Sequence, residues 1–154
     1  MRFATDATLG KLGRHLRAAG FDTVCQHERG THIFFNALET DRIILTRTVK
    51  VQVRYKHRPL LFIRDNDPIE QMIQVFKDLN IGPADINPFS RCLICNLEIT
   101  PIDKQYLQGK VPVYIWQHHQ KFYICNSCKR IYWSGSHHRR LTQRFETLFK
   151  IKDV

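Results

Sequence analysis

Two Cys-x-x-Cys pairs restrict what this 154-residue chain can fold into more than any other feature. They are Cys92-Leu93-Ile94-Cys95 and Cys125-Asn126-Ser127-Cys128. A gap of two residues lets both thiolates of one tight turn face the same point, and two such turns supply the tetrahedral sulfur set that Zn²⁺ prefers. Because four ligands fill the coordination shell, we expect a structural zinc ion that stabilises the fold and takes no part in catalysis.

Two disulfides, or two redox-active pairs, are the alternative interpretations of these cysteines. The segment Met1–Asp6 lacks the apolar stretch of a secretory signal, which argues against disulfides and favours a cytoplasmic protein. A single Cys-x-x-Cys would be the better redox candidate. The fifth cysteine, Cys25, follows Val24 in a short apolar segment, and we predict that it is buried.

The residues between the two pairs include segments typical of β-strands. Val111–Trp116 and Lys121–Ile124 are rich in β-branched and aromatic side chains, so we predict a strand in each. Two Cys-x-x-Cys turns on β-hairpins make a zinc ribbon. No apolar run of the sequence approaches the roughly 18 to 20 residues that span a bilayer, so we expect no membrane partner.

The charge of the chain indicates a polyanionic partner. The formal net charge is +10 and the isoelectric point is about 9.7. Residues 1–88 contain 13 Lys and Arg against 10 Asp and Glu, whereas residues 89–154 contain 11 against 4. The C-terminal part is therefore the more basic, and nucleic acid is the partner that we expect.

The chain divides near Gly82–Pro88, where two prolines, a glycine and polar residues are typical of a linker. We predict an α/β domain over residues 1–86, followed over residues 87–154 by a zinc ribbon with a C-terminal helix. Strands are predicted around 3–6, 21–25, 42–46 and 60–63, and helices over 9–19, over 33–38 and from 68 onward. Residues 49–55 alternate like a strand but stand where an α/β order needs a helix. Leu141, Phe145, Leu148 and Phe149 predict a terminal amphipathic helix.

Alternating strands and helices predict a mostly parallel sheet covered by helices, with functional sites beyond the carboxyl ends of the strands. Asp6, Thr46 to Thr48, and Asp65 with Asp67 occupy such positions. Asp6 and Asp65 are the best candidates for catalytic carboxylates, and Asp67 and Glu39 are weaker ones. Carboxylates grouped at such an edge bind Mg²⁺ or Mn²⁺, which can activate water for phosphodiester cleavage. The alternative is structural: Asp67 caps the helix that begins at Pro68, and Asp65 makes a turn.

Several short motifs occur in a fixed order along nearly the whole chain. They are Arg2–Asp6, Leu9–Arg17, Gly20–Thr23, Arg42–Arg47, the two cysteine pairs and Ile131–His137. In this order they resemble the PIN-like RNase family named for the C-terminal domain of the Mut-seven exonuclease. The resemblance implies a PIN-like three-layer α/β domain, a fused zinc ribbon and metal-dependent cleavage of RNA, with Asp6 at the first acidic position. The family's Thr-Arg-Asp motif is Thr46-Arg47-Thr48 here, and Thr31-His32 stands where the family has an acidic residue.

The residues and the resemblance together lead to two hypotheses. The first is a divalent-metal-dependent endoribonuclease that uses Asp6, Asp65 and Asp67. The second is an RNA-binding protein of the same fold that does not cleave, because a threonine cannot supply the negative charge that attracts a divalent ion. A protein-interaction module that uses the ribbon is a third alternative. The side chains that we expect to contact phosphates or unpaired bases are Lys11, Arg14, Arg17, Arg47, Arg130, Trp133, Arg139 and Arg140.

Overall fold

A computed structural model describes residues 1–27 and 31–150 of the chain. The strands are β1 (Arg2–Thr5), β2 (Asp22–Cys25), β3 (Ile43–Thr46), β4 (Leu60–Phe62), β5 (Thr100–Ile102), β6 (Phe122–Ile124) and β7 (Ile131–Trp133). The helices are α1 (Gly10–Ala18), α2 (Thr31–Asn36), α3 (Val49–Arg54), α4 (Pro68–Asp78), α5 (Val113–His118) and α6 (Ser136–Lys150). None of these helices is both long and apolar enough to cross a membrane.

The first four strands form one parallel sheet in the order β2-β1-β3-β4. Side chains alternate between the two faces of the sheet, so neighbouring residues of one strand enter different cores. Phe3 packs with α1 and α4 on one face, whereas Ala4 packs with α2 and α3 on the other. Helices therefore cover both faces, which confirms the predicted three-layer α/β architecture with a parallel sheet.

Local sequence signals explain where the helices of this part begin and end. Asp67 caps α4, because its carboxylate accepts hydrogen bonds from the N–H groups of Ile69 and Glu70 at 2.8 and 3.2 Å. Gly20 follows α1 with φ of 98°, a left-handed conformation that glycine adopts without strain. Both the cap of α4 and the end of α1 agree with the prediction.

The ambiguous segment 49–55 is largely helical. Val51 and Tyr55 are buried four residues apart, whereas Val49 and Val53 point to solvent. A helix turns about 100° per residue, so positions four apart share a face. The alternating valines of this segment therefore do not form a β-strand.

The second sheet is antiparallel, with the order β5-β6-β7, and carries a small core around Leu107 and Phe122. The strand predicted over Lys121–Ile124 is confirmed as β6, but the strand predicted over Val111–Trp116 is wrong. Most of that segment is the helix α5, which follows Pro112. Val111, Ile115 and Trp116 of this region reach the core of the second sheet. Packing along one helical face thus overrides the high β-propensity of the segment.

The terminal helix α6 confirms the predicted amphipathic helix and packs on the first part of the chain. Phe145 is buried in the core that α1 and α4 share, and the ring of Phe149 stacks on Phe76 with centroids 5.9 Å apart. The side chains of Leu141 and Leu148, which belong to the predicted stripe, lie outside the described residues.

Candidate functional site

The centre of the parallel sheet places Asp6 and Thr46 side by side at its carboxyl edge. Asp6 follows β1 and Thr46 ends β3, and these two strands are neighbours. From β1 the chain continues to β2 on one side of β1, and β3 then pairs with β1 on its other side. The strand order therefore reverses between β1 and β3. Ligands of open α/β sheets bind at such a switch point.

Asp6 is a buried carboxylate surrounded by hydrogen-bond donors. It is 3% exposed, and its Oδ1 accepts hydrogen bonds from the backbone N–H and the hydroxyl of Thr8, at 2.9 and 2.5 Å. Its Oδ2 accepts from the Thr46 hydroxyl at 2.5 Å, the Arg47 N–H at 3.4 Å and the Thr48 hydroxyl at 3.4 Å. Donors of the protein thus contact both oxygens of Asp6.

The other two predicted catalytic carboxylates lie in the loop before α4 and are exposed. The Asp67 N–H donates to Asp65 Oδ1 at 2.8 Å, which closes a turn, and Asp67 caps α4. In the described residues, the only group of three or more acidic, histidine or cysteine side chains with mutually close ligand atoms is made of cysteines. Asp6, Asp65 and Asp67 do not form such a group.

The remaining carboxylate candidate, Glu39, precedes β3 and so lies toward the opposite, amino edge of the sheet. It forms ion pairs with Arg2 at 3.3 Å and with Arg42 at 2.7 Å. These ion pairs lower the pKa of Glu39, with the hydrogen bond from Arg42 as the largest cause. Glu39 therefore stabilises the junction of β1 and β3 and is remote from Asp6.

A cavity of about 650 Å³ opens beside Asp6, and we name it the basic groove. Thr8 and Arg47, which both donate to Asp6, line this groove. Its other cationic lining residues are Lys11, Arg14 and Arg17, and none of the described residues that line it is acidic. Four of the side chains predicted to contact RNA are therefore brought together. Sequence reasoning missed Thr8, Gln26 and His27 of this lining, although Gln26 and His27 follow β2 at the same carboxyl edge.

Arg17 differs from its neighbours in the basic groove because it is buried, with 5% of the residue exposed. Its guanidinium donates to the carbonyls of Thr23, Leu93 and Ile94, each at 2.8 Å. Leu93 and Ile94 lie between two of the cysteines, so Arg17 joins α1 to the cysteine-containing part. Its described hydrogen bonds are structural, whereas Lys11 and Arg14 are exposed.

The four cysteines form one cluster, in which all four sulfurs lie within 4.8 Å of one another. We name residues 92–96 the first knuckle and residues 125–129 the second. The two turns are alike: the Asn96 N–H donates to the Cys92 carbonyl at 2.9 Å, and the Lys129 N–H donates to the Cys125 carbonyl at 2.8 Å. Asn96 and Lys129 both adopt positive φ, of 64° and 60°.

The cluster has the chemistry and the dimensions of a zinc site. A tetrahedral ion at a Zn–S distance of about 2.3 Å separates its sulfurs by about 3.8 Å. The Sγ atoms of Cys92 and Cys128 are 3.6 Å apart. The Tyr132 hydroxyl lies 3.0 Å from Cys92 Sγ and accepts a hydrogen bond from the Leu93 N–H at 3.2 Å, so it can support the thiolate. The four cysteines can therefore hold a metal ion such as zinc.

The acidities of the thiols also fit a cation among them. Burial opposes the ionisation of Cys92, but hydrogen bonds from Tyr132 and from the N–H groups of Cys95 and Ile94 outweigh it and lower the pKa of Cys92 to about 6. The adjacent Cys128 sulfur raises the pKa of Cys95 to about 11. The sulfurs thus resist carrying four neighbouring negative charges unless a cation neutralises them.

The remaining residues predicted to contact RNA lie outside the basic groove. Arg130 follows the second knuckle, and Arg139 and Arg140 are on α6; all three are exposed. Trp133 is half-buried and packs against the core of the second sheet. Cys25 is buried as predicted, with 7% of the residue exposed.

The fold and the two sites together define a class of protein: a parallel α/β domain with a basic groove, joined to a four-cysteine module of the zinc-ribbon type. Residues 1–145 match the model of one family, the Mut7-C RNAse domain. The chain belongs to the Mut7-C family, and the match indicates a ribonuclease-like function. No curated protein and no solved structure matches the chain.

Proposed function

We propose that this chain binds single-stranded RNA in the basic groove and cleaves it there with a Mg²⁺ or Mn²⁺ ion at Asp6. The observation that carries the proposal is the juxtaposition of exposed cations with a buried carboxylate at the switch point of the sheet. Lys11 and Arg14 are exposed and line the groove from the first turns of α1, and the partly exposed Arg47, which follows β3, lines it as well. Such cations bind the phosphates of a strand irrespective of its sequence.

A divalent ion would supply a water of lowered pKa and would stabilise the oxygen that leaves the phosphate. Asp6 would be its anionic ligand, and the hydroxyls of Thr8, Thr46 and Thr48 are neutral oxygens beside it. These ligands are of the hard, oxygen-containing kind that Mg²⁺ and Mn²⁺ take. A single carboxylate gives such a site little negative charge.

Binding of RNA without cleavage is the second candidate, and a specific observation favours it. Thr48, at the position where the Mut7-C resemblance implies an acid, donates its hydroxyl to Asp6. Each neighbour that donates a hydrogen bond to Asp6 already compensates part of its charge. In this case the groove holds the RNA through its cations, and the hydrogen bonds of Asp6 have the structural role of joining β1 to β3.

The second part of the chain has a structural role in this proposal. The cysteines hold zinc as a ribbon within residues 87–154, and the PIN-like domain of residues 1–86 carries the groove. Four reduced thiolates suit a reducing compartment such as the cytoplasm. Arg130, Arg139 and Arg140 add positive charge outside the groove, where they strengthen the attraction of RNA.

Two assays on the purified, zinc-loaded chain test the proposal. The first measures binding of a fluorescein-labelled oligouridylate at increasing salt, for the wild type and for Lys11→Ala and Arg14→Ala. Each variant should bind more weakly, and the dependence of affinity on salt should become shallower because fewer phosphates are neutralised. Binding that is equal in the three proteins would exclude the groove as the RNA site.

The second assay measures Mn²⁺-dependent cleavage of the same oligonucleotide by the wild type, Asp6→Asn and Asp67→Ser. Serine keeps the cap of α4, so Asp67→Ser should unfold at the same temperature as the wild type. A loss of cleavage in this variant would therefore report a catalytic role of the Asp67 carboxylate and not the loss of the helix cap. Cleavage that depends on Mn²⁺ and is lost in Asp6→Asn supports the nuclease. Binding with no cleavage by the wild type would establish the binding-only function.

A further inference from the structure

A second cavity, of about 270 Å³, lies between the start of the first knuckle and one face of the second sheet. We name it the aromatic pocket, because the rings of Phe89, Tyr123 and Tyr132 belong to residues that line it. Leu93 and Ile99 contribute apolar surface. This combination of flat rings and aliphatic groups in a small concavity is typical of sites that accept a planar, partly apolar group.

The aromatic wall of the pocket is held in place by the fold. Tyr123 of β6 and Tyr132 of β7 are paired across the antiparallel ladder, so their side chains stand on the same face of the sheet. The Tyr132 hydroxyl is fixed by the Leu93 N–H and lies against Cys92 Sγ. Phe89 has a φ of 57°, which a bulky side chain rarely adopts, and its N–H donates to the Ala18 carbonyl at 2.8 Å. A pre-positioned ring binds a planar ligand with little loss of conformational entropy.

The charge around the pocket selects an anionic or polyanionic ligand. Lys121 lines the pocket and is exposed, and no described lining residue is acidic. Arg91, the other cationic lining residue, donates to the carbonyls of Gly20 and Asn96 at 3.1 and 2.7 Å and pairs with the Glu98 carboxylate at 3.5 Å, so its charge is already paired and it helps to build the wall. A ring system attached to a phosphate satisfies both the aromatic and the cationic features.

The pocket adjoins the basic groove. Arg17 lines the groove, Leu93 lines the pocket, and the guanidinium of Arg17 donates to the Leu93 carbonyl at 2.8 Å. One hydrogen bond therefore joins a residue of the groove lining to a residue of the pocket lining.

We infer that the aromatic pocket takes one unpaired base of the RNA strand whose phosphates lie in the basic groove. Tyr123 offers a face for stacking, and Lys121 pairs with the phosphate of the same nucleotide. Stacking on an aromatic ring accepts any base, so the pocket adds affinity and fixes the position of the strand without selecting a sequence. The inference rests on the proposed binding of RNA in the groove and adds a second contact point to it.

The experiment compares two probes of equal charge on the intact, zinc-loaded chain, without added Mg²⁺ or Mn²⁺. One probe is a ten-unit oligouridylate, and the other is a ten-unit chain of abasic ribose phosphates. Affinities are measured by competition for the wild type, Tyr123→Leu, Tyr123→Phe and Arg14→Ala. Leucine keeps the apolar volume and removes the ring, phenylalanine keeps the ring, and Arg14 belongs to the groove alone.

The wild type should bind the oligouridylate at least about fivefold more tightly than the abasic chain, because one stacked base contributes that much. Tyr123→Leu should abolish most of this difference and leave the affinity for the abasic chain unchanged, whereas Tyr123→Phe should retain it. Arg14→Ala should weaken both probes by the same factor.

Three results would overturn the inference. If Tyr123→Leu preserves the preference for bases while Arg14→Ala weakens both probes, the groove binds RNA but the pocket takes no base. If the wild type shows no preference, no base is stacked at all. If the wild type binds neither probe, the proposed function fails and the inference fails with it.

Loss of the fold in Tyr123→Leu would appear as a lowered Tm. In that case Lys121→Ala is measured instead, and an unchanged affinity of this variant for the oligouridylate would count against the pocket.

Discussion

In the part of the chain that the structure describes, the Asp6 carboxylate accepts hydrogen bonds from five donors. Three of them are the hydroxyls of Thr8, Thr46 and Thr48, which come from two strand ends. Hydroxyls stabilise a buried carboxylate by aligned dipoles and do not change the net charge of the site. A threonine at position 48 therefore preserves the geometry of the carboxyl edge. Compared with an acidic residue at this position, it lowers the attraction of the site for a divalent ion.

Replacement of Thr48 by aspartate tests this argument at a single residue. In Thr48→Asp, a second carboxylate would stand beside Asp6, and two adjacent carboxylates bind a divalent ion more tightly than one. We expect the dissociation constant for Mn²⁺, measured by calorimetry, to fall at least about tenfold, which corresponds to about 1.4 kcal/mol. Thr48→Asn is the matched control, because it has the same size and no charge. Equal Mn²⁺ affinity in the aspartate and asparagine variants would contradict the assignment of this edge as a metal site.

Some residues of the site can be placed from the local sequence, and others cannot. The position of Asp6 follows from a rule about strand ends, and the rule needs only the local sequence. Arg14 and Arg17 are three apart on α1 and both look like members of one basic face. Arg17 is buried instead, because the first knuckle, 76 residues further along the chain, packs on it. No local pattern carries that information.

At the scale of elements, Gly20 determines how α1 ends and how the linker packs. Its φ of 98° is unfavourable for any side chain, and a Cβ at this position would lie 2.3 Å from the Asn87 carbonyl oxygen. We expect Gly20→Ala to lower the free energy of unfolding by at least about 2 kcal/mol, measured by urea denaturation.

The matched control is Gly10→Ala at the other end of α1. Gly10 has helical φ and ψ, and a Cβ there meets no atom within 4 Å. This variant should be more stable than the wild type by about 0.5–1 kcal/mol, because alanine restricts the unfolded chain. A loss of stability of similar size in both variants would show that the clash with the linker is not what makes Gly20 necessary.

Elements with a single dominant signal are the ones that the sequence predicts correctly. The Asp-Pro start of α4 and the glycine after α1 determine their own local conformation. The segment that forms α5 has no such signal: its β-branched and aromatic residues favour a strand, and only the contacts of Ile115 and Trp116 with the second sheet favour a helix. Those contacts require β6 and β7, which are later in the chain, so the outcome is decided by tertiary packing.

For the whole molecule, the decisive feature is the network that joins the first knuckle to the edge of the parallel sheet. Asn96 accepts a hydrogen bond from the Thr23 N–H at 2.9 Å and donates to Asp22 at 2.6 Å. Asp22 in turn accepts two hydrogen bonds from Arg42, at 2.9 and 3.0 Å. β2 is an edge strand, and the knuckle covers a backbone N–H that the sheet leaves unpaired there.

The variant Asp22→Asn tests this network through its dependence on pH. Burial opposes the ionisation of Asp22, but hydrogen bonds from Arg42 and Asn96 outweigh it and lower its pKa. A lowered pKa means that the carboxylate stabilises the fold above its unfolded pKa and loses this effect as the pH falls through the folded value. At pH 7 the variant should be less stable by about 2 kcal/mol in urea denaturation.

The difference between the two proteins should shrink below about pH 4, as Asp22 of the wild type becomes protonated. Any loss of zinc in acid affects both proteins, so the comparison is made between them at each pH. A difference that stays constant from pH 7 to pH 3 would mean that the charge of Asp22 is irrelevant and that only its shape matters.

Removal of zinc should loosen the parallel sheet as well as the ribbon, because the knuckle is bound to both. Metal analysis should find about one zinc per chain, and a chelator or Cys95→Ser should lower the free energy of unfolding by about 5 kcal/mol or more, equivalent to a fall in Tm of about 10–20 °C.

The specific readout for the link between the knuckle and the sheet is hydrogen exchange at the Thr23 amide, which donates to Asn96. The control is the Ile63 amide, which donates to the Thr46 carbonyl at 2.8 Å on the other side of the sheet. We expect the chelator to accelerate exchange at Thr23 far more than at Ile63. If Thr23 keeps its protection without metal, the cysteine cluster does not hold the first knuckle against the sheet, and the ribbon would be an independent unit.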